Sequence, residues 1–177
     1  RFRLYSEVHD FILDGLGNVI GVKVLDKTND TNFELRSDIV VNATGAWAGQ
    51  VAGLAGADVP VKPTPGIMVA YDERFCERAL NRLCLPADGD IVLPQRRMMV
   101  VGTTSYEVED IDYVPATKDQ IEKMLERGSE LIPGIRNAKT RGIYMAIRPL
   151  LGAGSVGRSI ARTFKCFDCR ETHNIEG

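Results

Sequence analysis

No apolar run in these 177 residues approaches the roughly 20 needed for a helix to cross a bilayer. The N-terminus, Arg1-Phe2-Arg3-Leu4-Tyr5, has neither an initiator methionine nor the charged-then-apolar pattern of a secretory leader, so the sequence reads as an internal piece of a longer protein. Charge of one sign is also missing. Lys and Arg number 22 against 24 Asp and Glu, and the net charge of -2 with scattered basic residues gives no electrostatic footprint for nucleic acid. Only two histidines are present, His9 and His173, and neither lies in a catalytic setting. The four cysteines are too few and too scattered for a disulfide framework. Cys166-Phe167-Asp168-Cys169 is a lone pair without the second ligand pair that zinc requires, so no metal site is expected. Repeats and low-complexity tracts are absent. So is a glycine-rich G-x-G-x-x-G turn of the kind that cradles a dinucleotide pyrophosphate.

What is there is an ordinary globular composition, 44% hydrophobic and 26% charged. Residues 8–36 alternate short β-rich runs with turn chemistry, Asp14-Gly15-Leu16-Gly17-Asn18 and then Asp26 to Asn32, which predicts a β-meander. Asp38-Ile39-Val40-Val41-Asn42-Ala43-Thr44-Gly45 predicts a buried strand stopping at a glycine. It leads into a helix carrying Trp47, Val51, Leu54 and Ala55 at helical spacing and ended by Gly56. Extended segments are expected at 61–71, 140–151 and 160–167, and a hairpin at 91–104 turning through Gln95-Arg96-Arg97. Between them lies one amphipathic helix over 117–131, with Ile121, Met124, Leu125 and Leu131 on its apolar stripe, a Thr117/Gln120 capping box, and Pro133-Gly134 closing it. The fold class is therefore α+β: a mostly antiparallel sheet covered by one long helix, beside a β-meander and a strand-turn-helix unit.

By themselves these patterns identify no ligand. The Ala43-Thr44-Gly45 turn marks an α/β unit, the paired threonines Thr103-Thr104 suit a strand, and Arg148 could simply satisfy carbonyls in its proline-interrupted strand. Together and in this order, however, four stretches resemble the FAD-dependent glycerol-3-phosphate dehydrogenases of the D-amino-acid-oxidase-like superfamily, especially the anaerobic large-subunit type. They are Asp38 to Trp47, Asn81-Arg82 through Pro94, Val101-Gly102-Thr103-Thr104-Ser105, and Ala146-Ile147-Arg148-Pro149-Leu150. The resemblance runs over residues 8–165.

The resemblance implies an oxidation of glycerol 3-phosphate to dihydroxyacetone phosphate, with hydride passing to FAD. Residues 1–60 would be part of the FAD-binding domain, 61–167 the substrate-binding domain, and 168–177 a return segment. Ala43, Thr44, Gly45 and Trp47 would lie near FAD. Arg148 and Arg162 would hold the substrate phosphate, with Arg158 an alternative to Arg162, and Thr103 and Thr104 would sit beside flavin and substrate. No catalytic base can be named. The resemblance further implies an electron-acceptor subunit or membrane-associated partner, and a cytoplasmic enzyme peripheral to the membrane. Two departures stand against a full match: Thr64-Pro65-Gly66-Ile67 replaces a Lys-Gly-Ser stretch, and both the glycine-rich turn and a later Gly-Gly-Lys motif are missing. The piece alone is therefore expected to be inactive and not to retain FAD. The rival readings are an FAD-dependent oxidase or dehydrogenase of an amino acid or 2-hydroxy acid, where Arg148 would hold a carboxylate, and a non-catalytic binding module.

Overall fold

The computed structural model describes residues 1–85, 87–108, 110–151 and 164–177. The chain divides into two units, Arg1–Val61 with Arg162–Gly177, and Lys62–Ala161.

In the first unit, β1 (Ser6–Leu13), β2 (Val19–Asp26) and β3 (Thr31–Arg36) form an antiparallel meander in the order β1-β2-β3. Its first turn works as the sequence suggests. The Asp14 carboxylate accepts the backbone amides of Leu16 and Asn18, each at 2.8 Å, and Gly17 takes a φ of +87° that a side chain would resist. These bonds to the ionised form lower the Asp14 pKa.

The next segment differs from expectation. Residues 38–44 belong to no strand, and Ile39 and Val41 are exposed rather than buried. A strand needs a neighbour to form its ladder, and among the described residues neither sheet includes this segment. The helix that follows is also shorter than the spacing predicts. A 3-10 turn at Gly45–Trp47 leads into α1 (Ala48–Gly53), and Gly56 at φ +78° lies just beyond its end. The C-terminal residues return to this unit through α3 (Cys169–His173), which Asp168 caps. The Asp58 amide donates to His173 Nε2 at 3.1 Å, and the Val19 amide to the Glu176 carbonyl at 2.7 Å.

The second unit is a five-stranded sheet in the order β5-β6-β7-β4-β8, made of β4 (Val61–Tyr71), β5 (Leu80–Asn81), β6 (Ile91–Gln95), β7 (Met98–Gly102) and β8 (Thr140–Leu151). The pairs β5–β6, β6–β7 and β7–β4 are antiparallel. The hairpin expected over 91–104 forms, β6 turning through Arg96-Arg97 into β7, with Thr103 and Thr104 just past its end. Of the strand expected at 160–167, residues 160–163 lie outside the described residues and 164–167 are not strand.

Helix α2 (Lys118–Leu131) begins where the capping box places it: the Gln120 amide donates to Thr117 Oγ1 and the Thr117 amide to Gln120 Oε1. Its apolar stripe brings Met124 into a fully buried cluster with Ile67, Val69, Tyr71, Val92, Met99, Val101 and Ile135. Close packing on β7 needs Gly128, where a Cβ would come within 2.8 Å of Val101 Cγ2. An ionic clasp fixes the 82–90 loop to this helix. Asp90 accepts from Arg127 Nη2 at 3.3 Å and lies 3.6 Å from Arg82 Nε, while Glu130 meets Arg82 at 2.8 Å and Arg127 at 2.9 Å.

Candidate functional site

Arg148 sits on β8 immediately before Pro149, which has no N–H to offer a ladder; among the described residues β8 stands at the end of the sheet order. The half-buried guanidinium reaches the place where β4 meets the end of β7. Nη2 donates to Thr103 Oγ1 at 2.8 Å, and both Nη1 and Nη2 reach the Thr104 carbonyl at 3.4 Å. Nη1 also lies 3.4 Å from the Thr64 carbonyl. The short bond to Thr103 and the longer contacts to the carbonyls bear on the plane of the fork.

The backbone beneath is well tied. The Thr104 amide donates to the Ile67 carbonyl at 3.3 Å, the Tyr106 amide to the Pro65 carbonyl at 3.4 Å, and the Ile67 amide to Thr104 Oγ1 at 2.9 Å. Thr104 is therefore buried with its hydroxyl engaged, whereas Thr103 is half-buried and turned to the arginine. The Gly102–Thr103 peptide is cis. Lys62, at the start of β4, pairs with Glu107 at 2.6 Å along the same run of chain.

Arg148, Thr103 and Thr104, which the resemblance assigns to the substrate site, are in contact with one another, and the arginine also serves the carbonyls that a structural role would give it. Arg162 and its alternative Arg158 lie outside the described residues. Sequence reasoning did not find two contributors, the Thr64 carbonyl and the bare Cα of Gly66. The glycine was visible, but its closeness to an arginine 82 positions later in the chain was not.

In the first unit, Ala43, Thr44 and Gly45 form an exposed turn. Asn42 Oδ1 accepts from the Thr44 hydroxyl at 2.7 Å and the Thr44 amide at 3.3 Å, while Asn42 Nδ2 donates to the Ala48 carbonyl at 2.8 Å. Gly45 has φ +62°, and among the described residues nothing beyond its chain neighbours lies within 4 Å of the place a Cβ would take. Trp47 is 37% exposed. Among the described residues no cluster of His, Cys, Asp and Glu could hold a metal ion, and no helix is long and apolar enough to cross a membrane.

Comparison with known proteins agrees with the pattern of motifs. The FAD dependent oxidoreductase family matches residues 1–168. A subunit of the anaerobic glycerol-3-phosphate dehydrogenase of Haloferax volcanii is 34% identical over 190 residues, covering all of this chain and 32% of that protein. Its counterpart in the anaerobic glycerol-3-phosphate dehydrogenase of Escherichia coli is 28% identical, covering 97% of the chain and 32% of that protein. The crystal structure of glycerol-3-phosphate dehydrogenase from Bacillus halodurans complexed with FAD superposes with a TM-score of 0.72 at 25% identity, over 84% of this chain and 31% of that one. Glycine oxidase from Geobacillus kaustophilus, at 21% identity and TM-score 0.67 over 85% of this chain and 38% of that one, shares the fold. The chain spans about a third of the length of these dehydrogenase relatives. It belongs to the FAD-dependent oxidoreductase family.

Proposed function

We propose that the protein containing this chain oxidises glycerol 3-phosphate to dihydroxyacetone phosphate, and that Arg148 holds the phosphate of the substrate. The observation that carries this reading is the arginine's guanidinium, positioned by Thr103, Thr64 and Thr104, in a chain whose relatives include components of anaerobic glycerol-3-phosphate dehydrogenases. A phosphate near neutral pH is dianionic, and its oxygens match a planar fork of N–H donors. Charge-assisted bonds to such an anion are shorter and stronger than the three 3.4 Å contacts the fork makes to carbonyls.

FAD, when bound, supplies the two-electron acceptor. The exposed Ala43-Thr44-Gly45 turn fits the edge of a dinucleotide site, since its small side chains and the open space at Gly45 let a ligand approach the backbone. Trp47, next to it in sequence, is assigned to the same site. Thr103 and Thr104 form part of the substrate wall: Thr103 beside Arg148, and Thr104 through the backbone that its hydroxyl secures. Fixing the phosphate at one end of a three-carbon substrate restricts where the reacting carbon can lie, which is how remote binding promotes reaction. Arg162, or Arg158 in its place, is proposed as a second phosphate ligand.

On this reading residues 1–60 belong to the flavin domain, 61–167 to the substrate domain and 168–177 to a return segment. The enzyme works with an electron-acceptor subunit or membrane-associated partner and is cytoplasmic, peripheral to the membrane. The amino-acid or 2-hydroxy-acid reading keeps the same arginine on a carboxylate. Anaerobic flavin reduction in the full-length protein separates the two: bleaching by glycerol 3-phosphate and not by amino or hydroxy acids is the expected result. Bleaching only by a carboxylate substrate would overturn the assignment, and absence of flavin would leave a binding module.

A further inference from the structure

We propose that Gly66 and the Thr103 hydroxyl are positioning residues that set the plane of the Arg148 guanidinium; this rests on the assignment of Arg148 as the phosphate ligand. Glycine within a strand weakens it, because it brings no side chain to pack and loses more freedom on ordering than any other residue. Gly66 nevertheless occupies the middle of β4, between Thr64 at 6% and Ile67 at 0% exposure. What it makes room for is specific. A Cβ there would stand 2.5 Å from Arg148 Nη2, 2.7 Å from Nη1 and 2.5 Å from the Thr104 carbonyl oxygen, all closer than a real Cβ contact.

Any side chain at 66 must therefore displace the fork, or the carbonyl that receives it, or both. The arginine lies flat across the bare strand only because nothing projects from it. Thr103 supplies the other restraint, the 2.8 Å bond that turns Nη2 towards the end of β7. An arginine grips a tetrahedral anion through two parallel N–H bonds, so its value depends on the direction its fork faces as well as on its charge. Gly66 and Thr103 fix that direction, and neither needs to touch the anion to do so.

The test is a double-mutant cycle in the full-length flavoprotein, with KM and kcat for glycerol 3-phosphate as the readout. Arg148→Ala should raise KM about ten- to a hundredfold. Gly66→Ala should raise it by about threefold or more, with kcat changing less, because part of the same interaction is lost. In the Arg148→Ala background, Gly66→Ala should add nothing further to KM. A Gly66→Ala protein with unchanged KM, alongside an Arg148→Ala protein with a raised one, would overturn this proposal and leave the phosphate assignment standing. Effects that multiply would also overturn it, since Gly66 would then act without the guanidinium. An unchanged KM for Arg148→Ala would remove the phosphate assignment and this proposal together. Should Gly66→Ala fail to fold, Thr103→Val tests the same restraint: a raised KM that disappears without Arg148 supports the proposal, and an unchanged KM overturns it.

Discussion

Replacing Tyr71 with phenylalanine should stabilise the protein, an unusual expectation for a change at the centre of a core. Tyr71 ends β4, pairs with Met99 and is 0% exposed among Ile67, Val92, Met99, Met124 and Ile135. Among the described residues its hydroxyl has no hydrogen-bond partner. A buried hydroxyl left unsatisfied costs about 1–3 kcal/mol, so Tyr71→Phe, which keeps the ring and removes the oxygen, should gain on the order of 1 kcal/mol at neutral pH.

The same burial pushes the Tyr71 pKa up from 10.0 to about 12, because the phenolate is disfavoured away from water. The unfolded chain releases this proton near pH 10 while the folded protein keeps it. The stability associated with the neutral phenol is therefore intact below pH 10 and lost as pH rises towards 12, by about 2–3 kcal/mol in all. Chemical denaturation of wild-type and Tyr71→Phe proteins, followed by circular dichroism between pH 7 and 12, measures both effects. The variant should be the more stable at pH 7, with its advantage widening above pH 10. A less stable variant, or a constant difference across that range, would show that the hydroxyl has a partner and that the reasoning is wrong.

Two further outcomes follow from the same physical description. Asp90→Ala should destabilise the protein by about 2–4 kcal/mol in urea titration, because it leaves two largely buried arginines, Arg82 and Arg127, and the Ala87 amide short of their acceptor; Asp90→Asn, which keeps an acceptor, should cost less. The isolated 177-residue chain, dialysed against FAD, should show no flavin absorbance, since its sequence has no N-terminal G-x-G-x-x-G turn to hold a dinucleotide pyrophosphate; stoichiometric yellow protein would mean that Ala43, Thr44 and Gly45 have been misassigned.

Local chemistry was legible in the sequence because it is written within a few residues. The Asp14 turn, the Thr117/Gln120 box and the apolar stripe of α2 all depend on neighbours within about two turns of chain, and each forms as its residues dictate. Ile39 and Val41 show the limit. An apolar run reads as a buried strand only if something pairs with it and covers it, and neither condition is visible in the run itself. The same holds for the candidate site. Four motifs in order pointed to Arg148 and Thr103, but the partners that orient the arginine lie 44, 45 and 84 positions away. Gly66 carries no chemistry at all, and its part became apparent only once the chain was folded around it.

The claim that this chain grips a phosphate through Arg148 is tested most directly by Arg148→Ala in the full-length flavoprotein, assayed by steady-state oxidation of glycerol 3-phosphate. One charge-assisted contact contributes about 1.5–3 kcal/mol, so KM should rise about ten- to a hundredfold while the flavin remains bound. Steady-state kinetics indistinguishable from wild type would contradict the account and leave Arg148 as an arginine that only ties Thr64, Thr103 and Thr104 together.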